Sequence, residues 1–162
     1  MKVTVVGSGA WGTALAKVLD ENGHTITLWG RDPQWLNQIR ITGVNQRYLP
    51  GVQLGQSWKL TSDLDTAARD AEVIVMAVPS SGFRDIASRL DFFKGCVVSV
   101  TKGIEYASGK TMTGVLEEAM PLARSVALSG PTLAAEVVAG MPTAIVAASN
   151  HSAYANQIQT LF

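Results

Sequence analysis

The sequence predicts a doubly wound α/β domain: a mainly parallel sheet with helices on both faces, three layers in all. Three observations carry this. Strand-like apolar runs alternate with helix-like runs along most of the 162 residues. Several strand runs, such as Val73-Ile74-Val75-Met76 and Cys96-Val97-Val98-Ser99-Val100, are nearly free of polar positions, as strands buried on both faces are. The first strand runs into three spaced glycines that open a helix, the pattern of a strand–turn–helix unit built to approach a phosphate. The length suits one domain, residues 1–162, with a core of its own.

Taken in order, Lys2–Val6 is the first strand and Trp11–Glu21 the first helix, with Asn22-Gly23 supplying the turn. Thr25–Trp29 alternates β-branched and large apolar residues and reads as the second strand. Asp32 followed by Pro33 is a cap followed by a first-turn proline, so a helix runs from there to about Ile41. Residues 43–57 are loop-rich, and Trp58–Thr61 is a short strand. Asp63 caps a helix to Arg69, and Glu72–Val78 is the fourth strand. A helix begins at Ser80 or Ser81 and reaches Leu90. Cys96–Val100 is the fifth strand, and Gly109–Met120 a helix halted by Pro121. Ser125–Leu128 and Thr143–Ala148 are strands flanking a short helix, Leu133–Val138, and Ser152–Phe162 is a final helix. A helix ending in Leu161-Phe162 leads to the expectation of a further element beyond it.

Composition narrows the function. Thirteen acidic and 13 basic side chains cancel, and no basic block stands out, so binding of nucleic acid or a membrane surface through bulk charge is not expected. Charged residues are only 16% of the chain, which suggests a surface normally covered by something else. Cys96 lies in an apolar run and reads as a buried strand thiol. One cysteine and two ungrouped histidines, His24 and His151, make no metal site. No run reaches membrane-spanning length, and the N-terminus is itself a strand, so a cytoplasmic location is expected.

In an open doubly wound sheet the ligand crevice lies at the carboxyl ends of the strands. The first such loop is Gly7-Ser8-Gly9-Ala10-Trp11-Gly12. Gly7 allows the tight turn, Gly9 lets a pyrophosphate near the backbone, and Gly12 lets the helix pack closely on the sheet. This reads as a dinucleotide site. After the second strand, Arg31 stands near where the fingerprint expects an acidic ribose ligand, so it can accept a 2′-phosphate or stack on adenine; the alternatives are a solvated Arg31 and a merely capping Asp32. Pro79 stiffens the loop after the fourth strand. Phe83 is either a cofactor contact or a core side chain. Lys102, directly past the fifth strand and followed by Gly103, points an ammonium at an anionic or carbonyl-bearing substrate unless it is simply solvated. After the sixth strand, Thr132 reads as a helix cap. Gly130 before it makes that helix start a candidate phosphate grip, the plain alternative being an ordinary capped helix.

The blocks Gly7–Ala14, Trp29-Gly30-Arg31, Tyr48-Leu49-Pro50-Gly51, Ala77-Val78-Pro79-Ser80, Thr101-Lys102-Gly103-Ile104-Glu105 and Ser129-Gly130-Pro131-Thr132 occur in that order. Together they resemble the N-terminal half of the bacterial-type NAD(P)-dependent sn-glycerol-3-phosphate dehydrogenases, over essentially the whole chain. The resemblance implies a Rossmann fold and an oxidoreductase that reversibly reduces dihydroxyacetone phosphate, with NADP or NAD as cofactor, and feeds phospholipid synthesis. It places Gly7, Ser8, Gly9, Ala10, Trp11, Gly12, Arg31, Tyr48, Pro79, Lys102 and Ala134 at the cofactor, and Lys102, Gly130 and Thr132 at the phosphorylated substrate. Leu133 stands where the family often has Phe.

The same resemblance implies a missing half. In the family a helical C-terminal domain supplies the lysine that donates and accepts the proton, and most phosphate ligands, so no catalytic residue is assigned within 1–162. The last strand of the nucleotide domain is expected after Phe162, which leaves a sheet edge and an apolar flank prone to self-association. The complete enzyme is expected to be a homodimer, and this chain alone to lack appreciable turnover. Two other readings stay open: the nucleotide domain of another two-domain dehydrogenase of the 3-hydroxyacid or ketopantoate type, and a non-catalytic nucleotide-binding module.

Overall fold

Seven strands hydrogen-bond into one sheet in the order β3-β2-β1-β4-β5-β6-β7. The structure is a computed structural model describing residues 1–162. Its elements are β1 (Lys2–Val6), α1 (Ala10–Glu21), β2 (Thr25–Trp29), α2 (Pro33–Thr42), β3 (Lys59–Thr61), α3 (Leu64–Ala68), β4 (Val73–Met76), α4 (Phe83–Ser88), β5 (Cys96–Ser99), α5 (Met112–Ala119), β6 (Arg124–Ser129), α6 (Ala134–Val138), β7 (Val146–Ala148) and α7 (Ser152–Leu161).

Side chains alternate across the strands, so one sheet feeds two cores. Val3, Val5, Val73, Val75, Val98 and Val126 face α1, α2 and α7, where they meet Leu15, Leu19, Leu36, Ile39, Ile158 and Leu161. Val6, Ile74, Met76 and Val97 face α3, α4 and α5, meeting Leu64, Phe83, Val115 and Leu116. These are the three layers expected. Burial of each large side chain contributes about 1.5–3 kcal/mol, and the strand at the centre, β4, is buried at all four positions. Cys96 is buried as predicted, and burial pushes its thiol up to about 11.

β1 pairs with β2 on one side and β4 on the other, both parallel, with Val3 opposite Ile26 and Val73. The chain's progression across the sheet therefore reverses between β1 and β4, and the crevice opens beyond their carboxyl ends.

Some boundaries differ from the sequence reading. β7 is antiparallel to β6, with Val146 opposite Ser129, and is shorter than the predicted 143–148. Residues 130–145 thus leave the carboxyl edge of the sheet and return to it without crossing, which a parallel partner would have required. The helix predicted from Gly109 starts at Met112: Gly109 has φ +69° and closes a turn by donating its N–H to the Glu105 carbonyl at 2.8 Å. Thr111 is the actual cap, accepting from the Gly114 N–H at 3.3 Å. The helix predicted from Ser80 begins as a single 3₁₀ turn over 80–82 and becomes α-helical only at Phe83. β4 ends at Met76, two residues short of the predicted Val78. Asp32 caps α2 as expected, accepting from the N–H groups of Gln34 and Trp35 at 3.0 and 3.1 Å. No helix is long and apolar enough to cross a membrane.

Candidate functional site

The glycine bend is built from three different constraints. Gly7 has φ +125°, and a Cβ there would stand 2.4 Å from the Ala77 carbonyl oxygen, so only glycine lets β1 turn this close to the exit of β4. A Cβ on Gly12 would lie 2.0 Å from the Gly7 carbonyl oxygen, so Gly12 is what brings α1 against the bend. Gly9 is the opposite case: nothing lies within 4 Å of a Cβ built on it. It stands at the N-cap of α1 without a side-chain capping bond, and the bond closing the first turn runs from the Thr13 N–H to the Gly9 carbonyl. The backbone at Gly9 therefore faces open space beside amides that no side chain claims, which fits a diphosphate and leaves room for it.

The neighbouring loops converge on this bend. Gly30 packs so near Ser8 that a Cβ there would be 2.4 Å from the Ser8 hydroxyl oxygen, which sets Arg31 one residue beyond the glycine bend. Arg31 is exposed and has no hydrogen-bond or ion-pair partner within the fold, whereas Asp32 is taken up by the α2 cap. Tyr48 is 41% exposed; its ring meets Trp35 edge-on at 6.4 Å, with the Arg47 guanidinium 5.1 Å from its centroid. Trp11 is partly buried and leans on the core at the start of α1. Pro79, exposed, stands between β4 and the 3₁₀ turn.

Across the crevice, the Lys102 ammonium lies 3.4 Å from the Gly130 carbonyl oxygen, so two loops separated by 28 residues meet where the resemblance puts the substrate. α6, which begins at Ala134, packs against α1 and brings this segment beside the glycine bend. Gly130 itself is pinned, since a Cβ would stand 2.4 Å from the Ala144 carbonyl oxygen.

One reading of this edge needs correction. Thr132 does not cap α6: Leu133, with φ −113° and ψ 136°, keeps the chain extended one residue longer and occupies the cap position without a side-chain bond, while Thr132 is buried. α6 has five residues, close to the short helix expected over 133–138. Phe83 is fully buried among α4 and α5 side chains, so the core reading holds and a cofactor contact is excluded.

The sequence reading missed Asn45. It is completely buried, donates its amide to the Ser8 carbonyl at 3.0 Å and to the Thr13 hydroxyl at 2.8 Å, and accepts from the Trp35 indole N–H at 3.2 Å. Its loop, 43–57, reads in sequence as an irregular, glycine-rich stretch, and nothing in its spacing marks a buried junction. The ion-pair group around Arg84 and Glu105 was also missed. Glu105 accepts from Arg84 Nε and Nη2, both at 2.8 Å, and its carboxyl is held down at about 2 by that guanidinium and the Ser108 hydroxyl.

A mainly parallel sheet with its switch point at β1/β4, an open glycine bend over uncapped helix amides and a lysine in the loop leaving the carboxyl end of β5 define a dinucleotide-binding α/β domain of the Rossmann class. The chain belongs to the family described as NAD-dependent glycerol-3-phosphate dehydrogenase N-terminus, whose model matches residues 2–155. It is 42% identical to a glycerol-3-phosphate dehydrogenase (NAD(P)+) of Carboxydothermus hydrogenoformans, over 100% of this chain and 50% of the relative. It is also 42% identical to the enzyme of that name from Halorhodospira halophila, over 99% of this chain and 49% of the relative. Among solved structures, glycerol-3-phosphate dehydrogenase from Coxiella burnetii superposes with a TM-score of 0.91 at 31% identity, covering 99% of this chain and 50% of that one. The chain thus spans about half the length of the relatives it matches.

Proposed function

We propose that residues 1–162 form the dinucleotide-binding half of an enzyme that interconverts sn-glycerol 3-phosphate and dihydroxyacetone phosphate, using NADP(H) or NAD(H). The observation that carries this reading is the open backbone of Gly9 beside uncapped α1 amides, with the Lys102 ammonium, in the loop leaving the carboxyl end of β5, 3.4 Å from the Gly130 carbonyl oxygen. Family membership and the relatives' printed names support the substrate pair.

In this reading the first-turn amides of α1 and the Gly9 backbone hold the diphosphate. Ser8, Trp11, Arg31, Tyr48, Pro79 and Ala134 line the nucleotide. Gly130 and Thr132 supply the substrate side of the crevice. The bound nicotinamide supplies the hydride. Lys102 binds and orients the substrate's carbonyl oxygen, stabilising the negative charge that gathers there as the carbon is reduced. In this reading the part of the enzyme outside the span matched here completes the phosphate grip and moves the proton, and residues 1–162 by themselves turn over negligibly. The complete protein acts in the cytoplasm as a homodimer and supplies glycerol phosphate for lipid synthesis.

Calorimetric titration of NADPH and NADH into the chain tests the reading. Saturable one-to-one binding of at least one of them is expected; heats no larger than those of adenosine alone for both would end it.

A further inference from the structure

The loop that carries Lys102 is fastened on both sides of it. On one side the Thr101 hydroxyl donates to the Val78 carbonyl at 2.7 Å, tying the start of the loop to the exit of β4. On the other side, three residues past Lys102, the Glu105 carboxylate is gripped in a two-bond fork by Arg84 from α4, at 2.8 Å for each bond. Between these points the chain reverses through Gly103 at φ +109°, leaving Lys102 as the one long polar side chain in the span.

The second fastening has its own support. Arg84 Nη2 also donates to Glu118 of α5 at 2.8 Å, and Glu118 pairs in turn with Lys110, at the far end of the same loop. Ser108 donates to Glu105, and the Glu105 N–H donates to the Lys110 carbonyl at 2.8 Å. The Arg84 guanidinium of α4 thus joins Glu105 of the loop to Glu118 of α5, and Glu118 in turn holds Lys110 near the loop's far end. The Glu105 side chain is only 15% exposed, and its carboxylate stays charged far into acid. A planar fork fixes register as well as distance, which an ammonium in the same place would not.

Resting on the proposed cofactor and substrate role of Lys102, we infer that Arg84, acting through Glu105, is a positioning residue that sets the reach of Lys102 into the crevice. Arg84 makes no side-chain bond to the glycine bend; its partners are Glu105 and Glu118.

A double-mutant cycle on NADPH affinity tests this, because a merely structural role would lower affinity whether or not Lys102 is present. Lys102→Ala is expected to weaken binding about tenfold, the fold-change of one charge-assisted contact. Arg84→Lys, which keeps the charge and loses the fork, is expected to weaken it about threefold. Combined with Lys102→Ala, Arg84→Lys should cause almost no further loss. Glu105→Gln repeats the cycle from the other partner, and the thermal midpoint of every variant confirms folding. If the two losses simply multiply, or if Arg84→Lys and Glu105→Gln both leave affinity unchanged, the inference fails and the Lys102 assignment stands. If Lys102→Ala itself binds NADPH like the parent chain, both fall; absence of binding by the parent chain removes the functional reading as a whole.

Discussion

Asn45 donates its side-chain amide to the Ser8 carbonyl at 3.0 Å across 37 residues of sequence, and so fastens the loop that carries Tyr48 to the glycine bend. The amide orientation follows from its partners: the Trp35 indole N–H can only donate, so the oxygen faces Trp35 and the nitrogen faces Ser8 and Thr13. Removing this side chain would leave the buried Thr13 hydroxyl and the half-buried Ser8 carbonyl and Trp35 indole N–H without their partner. Asn45→Ala is therefore expected to destabilise the fold by about 2–4 kcal/mol, measured by urea unfolding. Asn45→Asp should cost a similar amount, since a carboxylate offers no donor to Ser8 or Thr13. A loss below about 0.5 kcal/mol for both would mean the junction is not held by these bonds.

Gly9 and Gly12 separate binding from folding. Alanine at Gly12 brings a methyl group to 2.0 Å from the Gly7 carbonyl oxygen, so α1 must move off the bend. That substitution should destabilise by about 3 kcal/mol or more. Alanine at Gly9 meets nothing within 4 Å and sits at φ −74°, which alanine accepts. The Gly9→Ala chain should unfold within about 0.5 kcal/mol of the parent, yet bind NADPH and NADH at least about tenfold more weakly because its methyl group fills the diphosphate cradle. Full affinity in Gly9→Ala would place the diphosphate elsewhere.

These two glycines also mark how far the sequence could be read. Their spacing, the Asp32-Pro33 helix start and the apolar runs of β4 and β5 are short-range signals, decided within a few residues, and each lies where local chemistry alone puts it. Asn45 was illegible because its meaning depends on partners 10, 32 and 37 residues away. The Arg84–Glu105 fork likewise joins α4 to the loop after β5 across 21 residues. The misplaced Thr132 cap and the antiparallel β7 share one cause. Residues 130–145 return to the carboxyl edge of the sheet, and tertiary packing there outweighs local capping and crossover expectations.

The acid response of the loop bearing Lys102 follows from Glu105. Its carboxyl is lowered from 4.5 to about 2, first by the Arg84 fork and then by the Ser108 hydroxyl. A depressed folded-state value means the unfolded chain binds its proton at higher pH. The stabilisation is therefore complete above about 4.5 and is lost as pH falls toward 2. Glu118, lowered first by Lys110 and then by Arg84, adds to the same side. In acid titrations, Glu105→Gln should flatten the decline in stability between these limits, while high salt should weaken the contribution of the exposed Glu118–Lys110 pair. An unchanged acid limb in Glu105→Gln would show that other carboxylates govern it.

Arg31 offers the clearest discrimination between the two cofactors. It stands exposed immediately after Gly30, whose own packing against Ser8 fixes where the β2 exit meets the glycine bend. No side chain of the fold pairs with it, so its guanidinium is not already spent on a structural contact. A bidentate grip on a 2′-phosphate contributes about 1.5–3 kcal/mol, whereas a ribose hydroxyl gains much less from the same group. Arg31→Ala should therefore weaken NADPH binding by about 10- to 100-fold and NADH binding by less than about threefold, with the fold's thermal midpoint unchanged. Repeating the titration with 2′-phosphoadenosine fragments against their unphosphorylated counterparts isolates the phosphate from the nicotinamide. Equal losses for the two dinucleotides would instead assign Arg31 to stacking on the adenine, a contact that both share.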